Sequence, residues 1–528
     1  MFACPNCGGN LKFHIPSQQL ACEYCQTQVD PYSFEDKQKD AIEHQEFDAT
    51  IFTCPQCGGE ILSTDQSAAE FCTFCGASTI LYSRISKEKR PHYIIPFAYT
   101  KEACKNAYAS TIKKALFAPD ALKDPKYIDG FRGIYMPYWA FYMEQQDSFQ
   151  LNGTKTHRRG DYIITDHYAL HGDIDAHYDG LSFDASSSFD DTISEKIAPY
   201  NVTAMKEFTP AYLSGFYADT ADVSSDVYSY EAEHIAFNNS VSQIYRNSAF
   251  SGVSISSEVN PSALHTNASR IESAMFPVWF LSYRNGDRVA YATINGQTGK
   301  VVADLPVDTK KYLIGSLILA LPIFVFLNLF FTITPSILLL LTALIAVFAN
   351  ITATVELSRI ADKEAGLHDK GRIAKEQPEN LSFAKHSQMD IVKPKKSNGN
   401  LMVTIVLVLY FIFFFGGSAS AILSAANPNV FWVIFPVVCL ISSAIGFSKR
   451  AKLPYKVNGF GLLSAILAIL VGTITALINP VSDIFYYGAS IFSLCAVFFT
   501  FKDIMDYYNI LATRRLPQFD RTGGDDRA

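Results

Sequence analysis

Eight of the eleven cysteines in this 528-residue sequence fall into four C-x-x-C pairs. Cys4, Cys7, Cys22 and Cys25 recur, shifted by 50 positions, as Cys54, Cys57, Cys72 and Cys75. Their flanks recur with them: CPNCGGN against CPQCGGE, and CEYC against CTFC. A common shift of four pairs marks an internal duplication. Each unit reads C-x2-C-x14-C-x2-C, a spacing of metal ligation and not of a secreted disulfide framework. Four thiolates converging on one point suit a tetrahedral Zn2+ and leave no open coordination position. The chemistry is therefore that of a structural ion. Iron is the other metal such a sulfur set accepts. Redox use of the pairs would need an exposed thiol of low pKa in a βαβ setting, which neither unit has. Two Zn2+ are expected, one per set of four cysteines.

For those sulfurs to meet, the chain must turn sharply twice in each unit. Two residues between paired cysteines allow a tight turn, and Gly8-Gly9 and Gly58-Gly59 offer positions for positive φ. The fourteen-residue spacers hold a short hairpin that brings the two turns face to face. So small a unit buries too little apolar surface to fold alone. A bound Zn2+ contributes roughly 10–16 kcal/mol at neutral pH, more than the whole stability of a small domain. This places zinc ribbon 1 at residues 1–30, a polar linker at 31–50 and zinc ribbon 2 at 51–90. Residues 1–90 carry seven Lys and Arg against twelve Asp and Glu, a net of −5, and the whole chain is −7. Surfaces that grip phosphate backbones are basic. The balance counts against nucleic acid, leaving Arg84, Lys87, Lys89 and Arg90 as a local basic patch.

Residues 91–311 read as a mixed α+β domain. Lys101 to Ala118 has helical periodicity, and Ala221 to Ser248 is helix-compatible. IYMPYWAFYM, DYIITDHYAL and the run from Phe276 to Val302 read as strands, with a hairpin turn at Arg284-Asn285-Gly286-Asp287 and another at Gly296 to Gly299. His167, His171, Asp173, Asp175 and His177 share one parity, so a single strand would put them on one face. Such a face could bind a second metal or serve hydrolysis; the plainer reading is a solvent-facing sheet edge. Gly172 and the DGLSFD segment argue against one long strand there. Gly299-Lys300 sits in G-x-x-G-K after a hairpin, which is not a phosphate-binding loop. Cys104 reads as a small buried hydrophobe. No Ser-His-Asp set, glycine-rich phosphate cradle or carboxylate pair stands out, so no catalytic residues and no enzyme activity are expected.

The last third holds three uncharged blocks: Tyr312 to Val355, Ser397 to Ser448, and Val457 to Phe501 interrupted only by Asp483. A span needs about 20 apolar residues, and each block has a turn signal near its middle: Ile333-Thr334-Pro335, Asn427-Pro428-Asn429 and Asn479-Pro480. The expectation is three transmembrane hairpins at 312–355, 401–448 and 457–502, six helices in all, with a charged loop at 356–400 and a tail at 503–528. Asp483 reads as an interfacial helix-end residue. Lys and Arg gather in the loops between hairpins, nine of them from Glu356 to Lys396, and none lies in the three mid-block turns. By the positive-inside rule both termini and the long loops are cytoplasmic, in a multi-pass protein of the cell membrane. The N-terminal MFACPNCGGN has no secretory signal pattern, and thiolate ligands favour the reducing cytosol. With almost no ionisable residues inside the spans, the block reads as an anchor and an oligomerisation surface.

The paired ribbons, Ile94-Ile95-Pro96-Phe97, IYMPYWAF at 134–141, Gly160-Asp161-Tyr162-Ile163, FPVWFLSY at 276–283 and NGQTGKVV at 295–302 together carry a resemblance. Over roughly residues 1–305 the chain resembles the bacterial membrane-associated TFIIB-type zinc-ribbon (YdjG-like) proteins. The resemblance implies a non-enzymatic membrane scaffold of the envelope-stress (phage-shock) type, which places a cytoplasmic SPFH (flotillin-like) partner at the bilayer. It also brings a primosomal-helicase-like label carried by some relatives. A Walker motif and room for helicase lobes are both missing, and the six-span tail departs from the shorter relatives. Three alternatives stay open beside the scaffold: a nucleic-acid-associated membrane protein, a transporter with a zinc-ribbon regulatory head, and a hydrolase built on the His167–His177 run.

Overall fold

The computed structural model describes residues 2–38, 46–63, 72, 74–76, 82–255, 264–330, 333–365, 369–371, 373 and 429–515. In the first ribbon, β1 (Leu11–His14), β2 (Gln19–Cys22) and β3 (Gln28–Val29) form their own three-stranded antiparallel sheet. Alternation along β1 and β2 turns Leu11, Phe13 and Leu20 inward. Phe13 meets the Tyr212 ring edge-on at 5.2 Å. The Phe13 amide donates to the Ser214 carbonyl at 3.0 Å, and the Ser214 hydroxyl donates back to the Leu11 carbonyl. The first ribbon is thus clipped onto residues 210–216.

The second ribbon is built differently. Its strands β4 (Glu46–Thr53), β5 (Glu60–Ser63) and β6 (Tyr82–Lys89) belong to a thirteen-stranded sheet. Residues 46–50, expected as linker, are strand. β5 pairs antiparallel with β11 (Tyr217–Ala218), which in turn pairs parallel with β8 (Arg132–Arg159). The ribbon is therefore continuous with the head.

The head is organised by three long strands: β8, β9 (Tyr162–Asp184) and β13 (Asn267–Asn285). The short strands β7 (Tyr93–Ile94), β10 (Lys206–Glu207) and β12 (Ser254–Ile255) extend it at the margins. β14 (Arg288–Asn295) follows β13 across a tight turn in which Asn285 faces Arg288, one residue later than the sequence pattern places it, with Gly286 at φ 64°. β15 (Val301–Ala303) completes the meander. Aromatics fill the space beneath: Phe97 stacks on Phe216 at 4.4 Å, and Tyr138 on Phe276 at 4.4 Å.

β9 corrects the expectation of a broken segment. It runs 23 residues without interruption at Gly172, paired with β8 from Arg159↔Tyr162 to Tyr138↔Asp184. Gly172 is tolerated because the Phe149 ring crosses it; a Cβ there would lie 2.6 Å from that ring. The stem of this arm is buried by α3 (Asp226–Tyr245), whose Tyr228, Ala232, Ala236, Ser240 and Ile244 recur every fourth residue on one face. Two shorter helices, α1 (Lys101–Lys114) and α2 (Asp191–Ile197), pack elsewhere on the head; α1 starts at Thr100, whose hydroxyl accepts from the Ala103 amide at 3.2 Å, and buries Cys104, Tyr108 and Ile112.

The head also buries acids. Asp219 accepts from the Ser186 and Ser188 hydroxyls at 2.5 Å each, and burial pushes it up to about 6. A carboxyl whose folded pKa is raised binds its proton more tightly folded than unfolded. Its contribution is most favourable below the unfolded pKa of about 3.9 and is lost as pH rises toward 6. The stability of the wild type relative to Asp219→Asn should fall by roughly 2 kcal/mol between pH 4 and pH 7. Thermal melts of the two proteins across that range check this; a constant difference would contradict it.

Among the described residues five helices are long and apolar enough to cross a membrane: α4 (Thr309–Phe330), α5 (Pro335–Glu364), α6 (Asn429–Ala451), α7 (Phe460–Ile478) and α8 (Asp483–Leu511). The protein is thus a multi-pass membrane protein. The sixth expected span, in 401–428, lies outside the described residues. Turns fall where the sequence marks them: Pro335 opens α5, and Asn479 closes α7 in the left-handed region at φ 49°. Asp483 is the first residue of α8. α5 to α8 share a core of Leu339, Ala343, Trp432, Cys439, Ala465 and Ala489, and the Asn350 amide donates to the Ser443 hydroxyl at 2.8 Å. The apolar window of α4 buries nothing among the described residues.

Candidate metal centres and their tie to the membrane helices

Each ribbon's knuckles are backbone turns that aim two sulfurs at one point. In the first, the Gly8 amide donates to the Cys4 carbonyl at 2.9 Å and the Cys4 amide to the Gly9 carbonyl at 2.7 Å. The second ribbon repeats this with Gly58, Cys54 and Gly59 at 2.8 and 2.9 Å. Only the first glycine of each pair has positive φ, 72° at Gly8 and 75° at Gly58. Gly9 serves another need, since a Cβ there would lie 2.6 Å from the Tyr24 ring. The other knuckles turn on Gln26 at φ 59° and Gly76 at φ 68°.

The turns bring all eight expected ligands into two groups, each with sulfurs within 4.8 Å of one another. In the second ribbon Cys54 lies 3.8 Å from Cys75 and Cys57 3.7 Å from Cys72, sulfur to sulfur. A tetrahedron with metal–sulfur bonds of 2.3 Å has edges of about 3.8 Å, so these sulfurs already stand at the spacing the ion requires. The first ribbon is slightly tighter, at 3.5 Å for Cys4–Cys25 and 3.4 Å for Cys7–Cys22. The Thr27 hydroxyl and amide, then Cys7, hold Cys25 down to about 6. Hydrogen bonds from Cys57, Cys72 and Cys75 hold Cys54 well below the usual thiol range. Hydrogen bonds with Cys54 and the other sulfurs push Cys57 and Cys72 above that range, and a soft divalent cation binds such a convergent set by displacing its protons. An ion here would satisfy all four sulfurs and organise both turns.

Burial separates the two centres. Cys54, Cys57, Cys72 and Cys75 are all within 2% of fully buried, whereas Cys7 is exposed and Cys25 half-buried. The second centre is roofed by the head. Phe74 meets Phe280 edge-on at 6.5 Å, and the buried Tyr291 hydroxyl donates to the Phe74 carbonyl at 2.6 Å.

The other face of Tyr291 leads to the membrane helices. The Arg514 guanidinium lies 5.6 Å over its ring, 2.7 Å from Asp190 and 3.7 Å from Asp304. Arg514 sits in β16 (Arg514–Arg515), three residues past the end of α8, and β16 pairs with β14 through Arg288↔Arg515 and Val289↔Arg514. Arg288 caps α8: it donates to the Ile510 carbonyl at 2.8 Å, and to the Thr513 hydroxyl at 2.7 Å and carbonyl at 3.1 Å. Lys363, from the last turn of α5, donates to the Leu511 and Thr513 carbonyls at 2.7 and 2.9 Å. Two membrane helices therefore overrun their apolar stretches and end locked to one another and to the head. Sequence reasoning counted Lys363 and Arg514 only as charge outside the spans, and placed Arg288 in a strand run without a role. Their partners lie more than 100 residues away, and nothing in their local pattern points there.

The remaining candidates are placed as follows. His167, His171, Asp173, Asp175 and His177 do share one exposed face of β9, as their parity implies. They are strung along an extended strand, and no three of them converge; the nearest pair is His177–Asp175 at 3.4 Å. Among the described residues the two cysteine sets are the groups that could hold a metal. Arg90 is engaged by the head, donating to the Phe208 carbonyl at 2.5 Å. Gly299 and Lys300 lie in the β14–β15 turn, where the Gly299 amide donates to the Asn295 carbonyl at 2.9 Å.

Fold and site together define a multi-pass membrane protein whose head carries two four-cysteine sets that could each hold a metal ion. The chain is 35% identical to YdjG of Bacillus subtilis (strain 168) over 315 residues, which cover 59% of this chain and 91% of that protein, and it belongs to the YdjG family. No family model and no solved structure matches the chain.

Proposed function

We propose that this protein is a membrane-anchored, non-enzymatic scaffold of the TFIIB-type zinc-ribbon kind. Its two zinc-filled ribbons present a docking surface for a cytoplasmic protein partner, and both termini and the head lie in the cytosol of a bacterial cell. The observation that carries the reading is the continuous path from the second ribbon through Tyr291 and Arg514 to the ends of α5 and α8. A head tied this firmly to its anchor suits holding a partner at a fixed place on the membrane. The resemblance gives the partner its expected class, an SPFH or flotillin-like protein of the envelope-stress response. The first ribbon is the docking end in this reading, because Pro5, Asn6 and Tyr24 at its tip are exposed, Tyr24 by 80%, and solvent-exposed aromatics are common anchors of protein interfaces.

A photo-crosslinking residue at position 24, introduced in the native cell, should capture the partner. A Tyr24→Ala protein, still folded and membrane-inserted, should recover several-fold less of it from detergent extracts. Equal recovery would remove the first ribbon from the docking role.

A further inference from the structure

We infer that the first ribbon is a thiol-modification site open to peroxide-class oxidants, and that the second ribbon is closed to them. The inference rests on the proposed reading that both ribbons hold zinc. It starts from the unequal setting of two centres with the same ligands and spacing. Cys7 is an exposed residue, flanked by exposed Pro5, Asn6 and Gly8, and Cys25 is half-buried beside exposed Glu23, Tyr24 and Gln26. All four sulfurs of the second centre are buried, beneath Phe74 and against Ser282 and Arg284 of β13 at Gly76. Reaction of a thiolate with an oxidant follows its exposure. Reaching the second centre requires opening the sheet that contains it, whereas the first needs no opening at all.

The chemistry closes within the first ribbon. Hydrogen peroxide accepts an electron pair from the Cys7 sulfur: an S–O bond forms, the O–O bond breaks and hydroxide leaves. The Cys22 thiolate, 3.4 Å away, then attacks the Cys7 sulfenic sulfur. An S–S bond forms, the S–O bond breaks and a second hydroxide leaves. In sum, one peroxide and two thiolates give one disulfide and two hydroxides, with both sulfurs oxidised and the peroxide oxygens reduced. Two of four sulfur donors are then gone, and the set no longer suits a tetrahedral cation. The hairpin carrying Leu11 and Phe13 loses its staple, which loosens its clip on residues 210–216. The second ribbon and the helix ends it contacts are untouched. Peroxide would thus release the docking end and leave the anchor intact.

The test uses the full-length protein in detergent micelles, with zinc per chain measured first. Hydrogen peroxide is added, metal release is followed with a chromogenic chelator, and remaining thiols are alkylated for peptide mass spectrometry. One of two ions should leave at least about tenfold faster than the other. The disulfide should join Cys7 to Cys22, with Cys54, Cys57, Cys72 and Cys75 recovered alkylated. Cys7→Ser should lack the fast phase, and the wild-type peptide map decides the matter should that variant misfold. Two ions lost at one rate, or oxidation of the second ribbon first, would overturn this inference and leave the scaffold reading standing. Protein that carries no zinc at all would overturn both.

Discussion

Replacing Cys57 with Ser is expected to lower the melting temperature of the head by roughly 10 °C or more, far beyond the effect of Cys7→Ser. The second centre is not a separate bead whose loss the head can ignore. Its strand β5 pairs with β11, and β11 with β8, the strand around which the head is organised. A serine hydroxyl is a poor zinc ligand, and losing the ion leaves three thiols packed together in a buried site. Zinc binding in small ribbons is worth roughly 10–16 kcal/mol, and forfeiting even about 5 kcal/mol shifts the melt of a domain of this size by roughly 10–20 °C. Ribbon 1 shares the head's core through Leu11, Phe13 and Leu20 and bonds it through Gln18 and Tyr32, but none of its strands joins the head's sheet, so its loss should disturb the main transition less than loss of ribbon 2. Thermal unfolding of the three proteins in the same detergent is the check; equal melting of Cys57→Ser and wild type would show that the second centre bears no part of the head's stability.

The second large effect is expected at Arg514. Arg514→Ala removes the cation that lies 2.7 Å from Asp190 and 3.7 Å from Asp304, leaves Lys363 as the cation near both, and uncovers the Tyr291 ring. Removing one member of a largely buried ionic cluster costs about 3–5 kcal/mol, because the charges left behind stay desolvated. The strain should appear locally, as β16 leaving β14 and α8 losing the Arg288 cap. Amide hydrogen exchange in 509–515 and 288–291 should rise by roughly two orders of magnitude or more, by the conversion of about 1.4 kcal/mol per decade. Arg514→Lys should recover only part of the protection, since an ammonium cannot both lie flat on Tyr291 and fork toward two carboxylates. Unchanged exchange in Arg514→Ala would mean that the head and the helices are held together elsewhere.

What could be read from the sequence was what has a short period. Cysteine spacing gave the two sets of four sulfurs that converge, because a knuckle is a local turn whose geometry two intervening residues determine. Parity placed His167 to His177 on one face, because a strand alternates whatever its length. Uncharged runs marked the spans, because lipid tolerates few charges over a fixed thickness. What could not be read was pairing at a distance. β9 looked interrupted at Gly172 because a glycine weakens a strand locally, yet Phe149 on the partner strand fills the gap. The two ribbons looked equivalent because their ligands are equivalent. Their difference lies in Tyr291, Phe280 and Ser282, more than 200 residues on, and in the choice of β11 as the neighbour of β5. Lys363 and Arg514 were visible only as positive charge flanking the spans, which predicts topology and is silent on partners, and Arg288 only as one residue of a strand run.

The most direct check on the whole account is metal analysis of the intact protein purified without added metal or chelator. Two zinc ions per chain, falling to one in Cys57→Ser and to one in Cys7→Ser, is the expected result. A chain that folds and inserts with its eight cysteines metal-free would contradict it.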